Sequence, residues 1–336
     1  MTPPEPRLVQ LAFCSDDLPQ TLRMYIEVFG FADAGGRKFW GEWLAHVQDV
    51  GDDAACLLWW MVGRQELVQL EFFQHTLPAQ KPLPADWRPS DHGWVRWGMA
   101  VPDFDATLER LGAFGVDTLG EPISHDGLRR VCFRDPGTGV VVELMEDGEA
   151  LPGGVRPRYY ELSPAVVYAA VSVPQLGKAR DFYVSTLGLV EEPPDTLHTE
   201  EMETLWGLSG AEREVAVVRG GDGYIELVEY SDPAPRPKPE GYVLSDQGFM
   251  NVAVGFRDRH LAQELLDRVG ASGGSVNADL PDSPAGGTYV KDDQGISLEI
   301  AAQPREFDPD FGFMPVKLFG RPASWPRTDV PPTGAA

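Results

Sequence analysis

The chain of 336 residues has few cysteines and no long apolar run. Its three cysteines, Cys14, Cys56 and Cys132, are far apart and form no CxxC pair, which argues against a disulfide framework and a thiolate zinc site. No apolar run approaches the roughly 20 residues that a membrane-spanning helix needs. Residues 1–7 lack the basic and apolar stretches of a secretory signal. These absences predict a cytoplasmic protein.

Positive charge is also scarce. The chain has 28 Lys and Arg residues against 52 Asp and Glu residues, a net charge of −24 at pH 7. Such a surface repels phosphate backbones and anionic lipids, so neither nucleic acid nor a membrane is an expected partner. No GxGxxG or P-loop pattern supports nucleotide binding. We expect a small-molecule substrate or ligand as partner, and a monomer or homodimer as the assembly.

A pattern of strand, turn and amphipathic helix occurs four times along the chain. The four copies lie at 8–30, 94–115, 166–188 and 249–270. Short β-rich runs follow each helix and end in ELVQLEFF (66–73), GVVVELME (139–146), GYIELVEY (223–230) and GISLEIAA (295–302). The sequence therefore predicts a βαβββ module that is repeated four times.

Proline-rich stretches at 76–92, 147–164 and 231–247 separate the four units. They suggest a division into a first pair of modules at 1–150 and a second pair at 151–302. Residues 303–336 contain many prolines and little periodicity, so we predict an irregular C-terminal tail there.

The repeated unit resembles the vicinal oxygen chelate superfamily, which includes glyoxalase I, bleomycin-resistance proteins and type I extradiol dioxygenases. The resemblance rests on the paired repeat, the terminal strands with a central Glu, and the helix that runs from Ala179 to Leu189 as ARDFYVSTLGL. It covers about residues 8–302. It implies an α+β, glyoxalase/dioxygenase-like fold in which the four βαβββ modules pair into two cups of curved sheet.

In this family, metal ligands come from the first and last strands of each module. The first-strand positions correspond here to Gln10, Arg96, Tyr168 and Asn251, and the last-strand positions to Glu71, Glu143, Glu226 and Glu299. All four glutamates are present, whereas none of the usual first-strand histidines is. An extradiol dioxygenase would be expected to carry His at positions 168 and 251, so the resemblance argues against that activity.

Two ways of pairing the modules stay open. If neighbours pair, the cups hold Gln10/Glu71/Arg96/Glu143 and Tyr168/Glu226/Asn251/Glu299. If the outer modules pair, as in some fused glyoxalase-like chains, the cups hold Gln10/Glu71/Asn251/Glu299 and Arg96/Glu143/Tyr168/Glu226. The set Gln10, Glu71, Asn251 and Glu299 resembles the ligands of glyoxalase I, with Asn in place of His. Its oxygen atoms suit a hard divalent ion such as Mg, Mn or Ca, while Fe, Zn or no metal at all stay open.

Strand alternation places the candidate residues on inward faces. Gln10 shares a strand face with Ala12 and Cys14, and Glu143 shares one with Val141 and Met145. A buried Glu needs a partner or an ion. Two carboxylates in one such cavity raise each other's pKa, which suits a general base that removes a proton next to a carbonyl group.

The predicted site residues fall into two groups. The catalytic candidates are Glu299, Glu71, Glu226, Glu143, Tyr168 and His198. The substrate-binding candidates are Arg96, Trp97, Trp60 and His46. Each of these candidates also has a purely structural interpretation. Tyr168 would be a core tyrosine, Arg96 the ion-pair partner of Glu143, and His46 and His198 ordinary surface or core histidines. The tryptophans would only pack in the hydrophobic core.

The predicted function is that of an isomerase or lyase acting on a small aromatic or carbonyl substrate, with or without a divalent metal. The alternative is a binding protein similar to bleomycin-resistance proteins, in which acidic, tryptophan-rich cups sequester a cationic aromatic ligand. An extradiol-type dioxygenase is the third and weakest prediction.

Overall fold

A computed structural model describes residues 5–316 of the chain. It contains two eight-stranded mixed sheets and few helices, so the predicted α+β fold with four βαβββ modules and two cups is confirmed. Within the described residues, no helix is both long and apolar enough to cross a membrane.

Each module begins with a long strand and a helix and ends with three strands. Module 1 contains β1 (Arg7–Cys14), α1 (Leu18–Met24), a π-helical turn (Tyr25–Phe29), β2 (Ala32–Trp40), α2 (Glu42–Gln48), β3 (Ala55–Val62) and β4 (Gln69–Leu77). Module 2 contains β5 (Gly93–Val101), α3 (Phe104–Ala113), β6 (Ile123–His125), β7 (Leu128–Arg134) and β8 (Val141–Glu146). Module 3 contains β9 (Ala165–Ser172), α4 (Leu176–Arg180), a π-helical turn (Asp181–Thr186), β10 (Val190–Glu192), a 3₁₀ turn (Pro194–Thr196), α5 (Glu200–Glu203), β11 (Glu212–Gly220) and β12 (Gly223–Asp232). Module 4 contains β13 (Gly248–Phe256), α6 (Arg259–Ala271), β14 (Ser275–Val276), β15 (Gly286–Lys291) and β16 (Ser297–Ala302).

The outer modules share one sheet and the inner modules share the other. The outer sheet has the order β14-β15-β16-β13-β1-β4-β3-β2, and the inner sheet has the order β10-β11-β12-β9-β5-β8-β7-β6. Antiparallel pairing of β1 with β13 joins modules 1 and 4, and pairing of β5 with β9 joins modules 2 and 3. Of the two pairings left open by the sequence, the outer-with-outer one is therefore observed. Each sheet draws on both halves of the chain, so the division at residue 150 does not separate the sheets.

The main hydrophobic core lies between the two sheets. Phe13 of β1 packs against Phe72 of the same sheet and against Trp97 of the inner sheet, with ring centroids 5.4 and 5.6 Å apart. Tyr25, in the first π-helical turn, stacks on Trp97 at 6.1 Å. Such aromatic pairs contribute about 0.5–1.5 kcal/mol each beyond the burial of their apolar surface. Because side chains alternate along a strand, the opposite faces of these strands form the cups.

Acidic residues and glycines delimit the first helices of the modules. Asp17, Asp103 and Asp258 each cap a helix, because their carboxylates accept a backbone N–H of the first turn. Gly30 and Gly188 follow the two π-helical turns with φ of +83° and +80°, a conformation in which a Cβ would be strained.

The start of the predicted C-terminal tail packs against the outer sheet. A 3₁₀ turn at Arg305–Phe307 leads to Phe313, which is buried and whose carbonyl oxygen accepts the hydroxyl of Tyr160 at 2.9 Å. Gly312 has φ of +73°, and a Cβ there would overlap the indole of Trp60. Residues 303–316 thus form an irregular segment over the sheet, while the rest of the predicted tail, 317–336, lies outside the described residues.

A buried ion pair ties the two sheets together. Arg64, in the β3–β4 connection, is fully buried and donates two hydrogen bonds to Asp147, which follows β8, at 2.6 and 2.8 Å. Replacing Arg64 by Met should lower the free energy of unfolding by about 3–5 kcal/mol, because Asp147 then keeps a buried charge without its partner. Urea unfolding of the purified protein measures the change.

The matched control is Arg23→Met, which breaks an exposed pair with Glu27. That change should alter stability by less than about 0.5 kcal/mol. Equal losses in the two variants would contradict a structural role for the pair between Arg64 and Asp147.

Candidate active site

Four neighbouring strands of the outer sheet each contribute one candidate ligand to the outer cup. Glu299 lies on β16, Asn251 on β13, Gln10 on β1 and Glu71 on β4, and these strands are adjacent in that order. Neighbouring strands lie about 4.8 Å apart. The outer set of four positions, distant in sequence, is therefore gathered on one concave face.

The amide of Gln10 holds the two glutamates together. Its nitrogen Nε2 donates to Oε2 of Glu71 at 2.6 Å and to Oε2 of Glu299 at 3.0 Å. The indole Nε1 of Trp60 donates to the other oxygen of Glu71 at 2.9 Å. Two buried carboxylates thus share one neutral donor, and no lysine or arginine forms an ion pair with either of them within the described residues 5–316.

This arrangement raises the pKa of both carboxyl groups. Burial raises the pKa of Glu71 well above its ordinary value, and the charge of nearby Glu299 adds to the effect, although the Trp60 hydrogen bond opposes it. Burial raises the pKa of Glu299 from 4.5 to about 7, against the opposing hydrogen bond from Gln10. Since the two groups interact, they titrate as a pair that retains a proton near neutral pH.

Asn251 completes the set with an unsatisfied amide. It is fully buried, and neither Nδ2 nor Oδ1 has a hydrogen-bond partner. A bulge in β13 pairs Asn251 with Ala12 of the cup, while the following residue, Val252, packs in the core between the sheets. Asn251 therefore points to the cup side of the strand, behind the residues that line the cavity, and its amide has no hydrogen-bond partner there.

A cavity of about 240 Å³ opens over this constellation. Gln10, Glu71 and Glu299 line it together with Trp60, and so do the aromatic rings of Phe39, Trp43, Phe73, Tyr289, Phe311 and Phe313. Gly287 keeps one wall clear, because a Cβ there would overlap Oε1 of Glu299. The polar groups therefore lie in a mostly apolar recess, as in ligand-binding pockets generally.

The inner cup holds the other set, Arg96, Glu143, Tyr168 and Glu226, on the corresponding strands. Arg96 and Glu226 are fully buried and form an ion pair. The predicted structural role of Arg96 was an ion pair with Glu143, and this prediction is wrong in its partner. The observed pairing of the modules brings Glu226 to Arg96 instead. Burial alone would raise the pKa of Glu226, but Arg96 and then His198 lower it overall.

Side chains from loops fill the rest of the inner cup. Glu143 accepts hydrogen bonds from the hydroxyl of Tyr168 at 2.6 Å and from the indole of Trp206 at 3.0 Å. Trp206 also packs on the guanidinium of Arg96, whose carbon lies 3.6 Å from the ring centroid. His198 hydrogen-bonds to Glu226 and is buried with it. The predicted residues meet here as a packed ion network, and none of them lines the cavity of the outer cup.

The remaining two predicted substrate-binding residues lie away from the outer cavity. Trp97 packs in the core between the sheets, where it contacts Phe13 and Tyr25. His46 is exposed on α2, whereas its neighbours Leu44 and Val47 face the cavity. We therefore assign neither residue to the site.

Three residues at the cavity mouth were not predicted. Arg37 lies over the rings of Trp60 and Phe311, 5.7 and 5.0 Å from their centroids. Phe311 and Phe313 come from the proline-rich tail and line the cavity wall. Arg37 lies on β2 of module 1, whereas the two phenylalanines lie outside the repeated modules, so the βαβββ pattern gives no signal for them.

The family comparison agrees with this architecture. The profile described as "Glyoxalase/Bleomycin resistance protein/Dioxygenase superfamily" matches residues 7–144 and 165–300, so the chain belongs to this superfamily. No curated protein matches the chain.

Among solved structures, glyoxalase I from Zea mays is 16% identical, with a TM-score of 0.57 and coverage of 92% of this chain and 96% of its own. A Bacillus subtilis protein provisionally assigned as a dioxygenase is 17% identical, with a TM-score of 0.61 and coverage of 94% and 93%. At these identities the similarity concerns the fold alone.

The outer cup fits a divalent metal in the chemistry of its donors. The two carboxylates and the amide oxygen of Asn251, which has no hydrogen-bond partner, are hard ligands of the kind that Mg²⁺, Mn²⁺ or Ca²⁺ prefer. Gln10 turns its amide nitrogen towards both carboxylates, so its oxygen could bind an ion only after the amide rotates. No group of three or more His, Cys, Asp or Glu side chains in residues 5–316 is placed to hold a metal. A metal here would therefore depend on the amides of Gln10 and Asn251.

The raised pKa of Glu299 predicts how stability changes with pH. The folded protein binds this proton more tightly than the unfolded chain, so the stabilisation is complete below pH 4.5 and is lost as the pH rises towards 7. Glu299→Gln should remove a slope of at most about 1.4 kcal/mol per pH unit in this window. Urea unfolding at several pH values measures it in both proteins.

Glu109→Gln, at an exposed position of α3, is the matched control and should leave the slope unchanged. A Glu299→Gln protein whose stability follows pH as the wild type does would show that this carboxyl group titrates normally.

Proposed function

We propose that the outer cup is the active site of an isomerase or lyase that moves a proton on a small carbonyl-bearing or aromatic substrate. The observation that carries this proposal is the pair of buried carboxylates, Glu71 and Glu299, joined by one amide of Gln10 and open to the cavity. Proton transfer next to a carbonyl group needs a base whose pKa lies near the working pH. This pair supplies one.

The two glutamates take different roles in the proposal. Glu71 accepts hydrogen bonds from Gln10 and Trp60, which hold its orientation. Glu299 accepts the Gln10 bond and, within the described residues, no second one; burial raises its pKa, so the pair can hold and release one proton near neutral pH. Glu299 is therefore the proposed base that takes the proton from carbon, and it returns the proton to the product.

The cavity wall supports a substrate with an apolar or aromatic body. Trp60, Phe39 and Phe73 offer ring faces beside the carboxylates, and few polar groups interrupt them. An apolar wall also excludes water from the acids, which keeps their pKa high and strengthens hydrogen bonds within the site. Trp60 is the one predicted substrate-binding residue that lines this cavity.

Gln10, Glu71, Asn251 and Glu299 would hold a divalent metal if one binds. The ion would supply Lewis-acid stabilisation of a substrate oxygen. In the metal-free form, the chain's own residues orient the substrate between the aromatic walls and keep a proton on the glutamate pair; a bound cation would displace that proton, because carboxylates bind metals in their ionised form. The identity of the metal among Mg, Mn, Ca, Fe and Zn is left to experiment.

Replacement of Glu299 by Gln tests the proposed base. A panel of small aldehydes, ketones and arylpyruvates is incubated with the protein in D₂O, and loss of the C–H signal next to the carbonyl group is followed by proton NMR. We expect the wild type to exchange at least one member, and Glu299→Gln to exchange it about 10²–10⁴-fold more slowly.

Glu109→Gln serves again as control and should exchange at the wild-type rate. Circular dichroism and urea unfolding establish that the Glu299→Gln protein is folded. If a folded Glu299→Gln protein exchanged the C–H proton at the wild-type rate, Glu299 would be excluded as the base.

Metal analysis tests the ligand set separately. If the four residues hold a metal, protein purified without chelator and loaded with Mn²⁺ should retain about one ion per chain, and Asn251→Leu should lose it because an amide oxygen ligand is removed. Glu109→Gln should retain it. No stoichiometric Mn²⁺ in the wild type would favour the metal-free form of the site.

A binding protein for a cationic aromatic ligand is the second candidate. The observation that favours it is Arg37, whose guanidinium already lies over Trp60 and Phe311 at the cavity mouth. These rings and the acids behind them would also accept a planar cation. Tight binding of an N-alkylpyridinium probe, together with no turnover of any member of the carbonyl panel, would support sequestration over catalysis.

The cellular compartment of the protein is proposed from the state of its cysteines. Cys14, Cys56 and Cys132 are buried and unpaired, which suits the reducing cytoplasm that the sequence predicted. A small-molecule ligand, a monomer or homodimer, and the absence of nucleic-acid or membrane partners stay predictions.

A further inference from the structure

A second cavity, of about 430 Å³, lies outside both cups. We name it the linker cavity, because residues 237–238 and 242–247 of the third proline-rich stretch line one side of it. The starts of β5, β13 and β16 line the other side, and no lining residue is shared with the outer-cup cavity. We propose that the linker cavity binds a small monocarboxylate with an apolar body, and that Lys238 is its cationic anchor.

Lys238 supplies a cation without a carboxylate partner. Its ammonium group lies over the rings of Trp87 and Tyr242, 4.6 and 5.0 Å from their centroids. Within the described residues 5–316 it forms no ion pair. Burial lowers the pKa of Lys238 to about 8, against the opposing charges of Asp91 and Asp246, so the group stays mainly protonated at neutral pH. An ammonium group held in this way is available to an incoming anion.

Unpartnered polar atoms surround the same cavity. Ser297 is only 5% exposed, and its hydroxyl has no hydrogen-bond partner. Nε2 of Gln294 and Nδ1 of His92 are also buried without partners. Buried polar groups are nearly always hydrogen-bonded in native proteins. Three of them at one cavity indicate a ligand with several acceptor atoms.

The charges around the cavity favour a single negative charge on that ligand. Lys291 is paired with Asp49, so it is not available. Asp246 also lines the cavity, with its carboxylate accepting the backbone N–H groups of Lys81 and Val243. One available cation beside one retained carboxylate suits a monoanion better than a phosphate dianion. The two oxygens of a carboxylate match the ammonium of Lys238 and the neutral donors.

Two glycines bring the backbone of β5 and β13 within van der Waals reach of Lys238. A Cβ at Gly93 would lie 3.5 Å from Cε of Lys238, and one at Gly248 would lie 4.0 Å from Nζ. Beyond them, Trp94, Phe249 and Ile296 provide an apolar lining. The cavity therefore places a charged end at Lys238 and an apolar body against these side chains.

Calorimetric titration with phenylacetate tests the proposal on the full-length protein. We expect saturable binding by the wild type and at least about tenfold weaker binding by Lys238→Met, because a charge-assisted hydrogen bond is lost. Ser297→Ala, a smaller change in the same cavity, should weaken binding about fivefold. Lys178→Met, at an exposed lysine of α4, is the matched control and should bind as the wild type does.

Further measurements distinguish this site from the outer cup and from simple anion binding. Glu299→Gln should bind phenylacetate with wild-type affinity, and phenylacetamide, which lacks the charge, should bind at least about tenfold more weakly. Four results would each overturn the proposal: no saturable binding, equal affinity of wild type and Lys238→Met, equal affinity for the amide, or stronger binding of inorganic phosphate.

Discussion

Antiparallel pairing of β1 with β13 determines where the chemistry of this chain lies. It brings the first strand of the first module beside the first strand of the last, with Ala12 opposite Asn251. Parallel pairing then adds β4 on one side and β16 on the other. Only in this order can the amide of Gln10 reach both Glu71 and Glu299, the latter 289 positions away along the chain.

The two cups share their glutamates and differ at the two first-strand positions, where the charge of Arg96 has the larger consequence. Arg96 occupies in the inner cup the position that Gln10 occupies in the outer one. A permanent cation keeps Glu226 ionised, and Trp206 packs over the guanidinium and fills the space. A neutral amide cannot neutralise two carboxylates, so the outer pair keeps a proton and an open cavity. The same arrangement of strands therefore holds a packed ion network in the inner cup and a protonated carboxylate pair beside an open cavity in the outer cup.

Much of the fold and the positions of the ligands could be predicted from the sequence. The alternation that placed Gln10 and Glu143 on the cup faces is observed, since Val142 and Leu144 lie in the core between the sheets. Asp17 caps the first helix, another feature that depends only on neighbouring residues. These features are local, and local patterns specify strand faces and helix ends.

The parts that could not be predicted depend on contacts between distant segments. Both ways of pairing the modules satisfy the same spacing, so the sequence alone left them open. Phe311 and Phe313 reach the cavity only because the tail crosses the outer sheet, where Phe311 also meets Arg37 of β2. Trp97 and Trp60 have equal apolar character, and only the tertiary structure places one in the core and the other beside Glu71.

The division of strands between the sheets also bears on how the protein assembles during synthesis. All strands of the inner sheet lie within residues 93–232, whereas the outer sheet needs β1 and β16 together. Closing a loop of that length is slow compared with joining neighbours, so the inner sheet is expected to form while the first module still waits for the fourth to leave the ribosome. A nascent chain that stops before module 4 would then carry a complete inner sheet but only β1 and β4 of the four strands that form the candidate site.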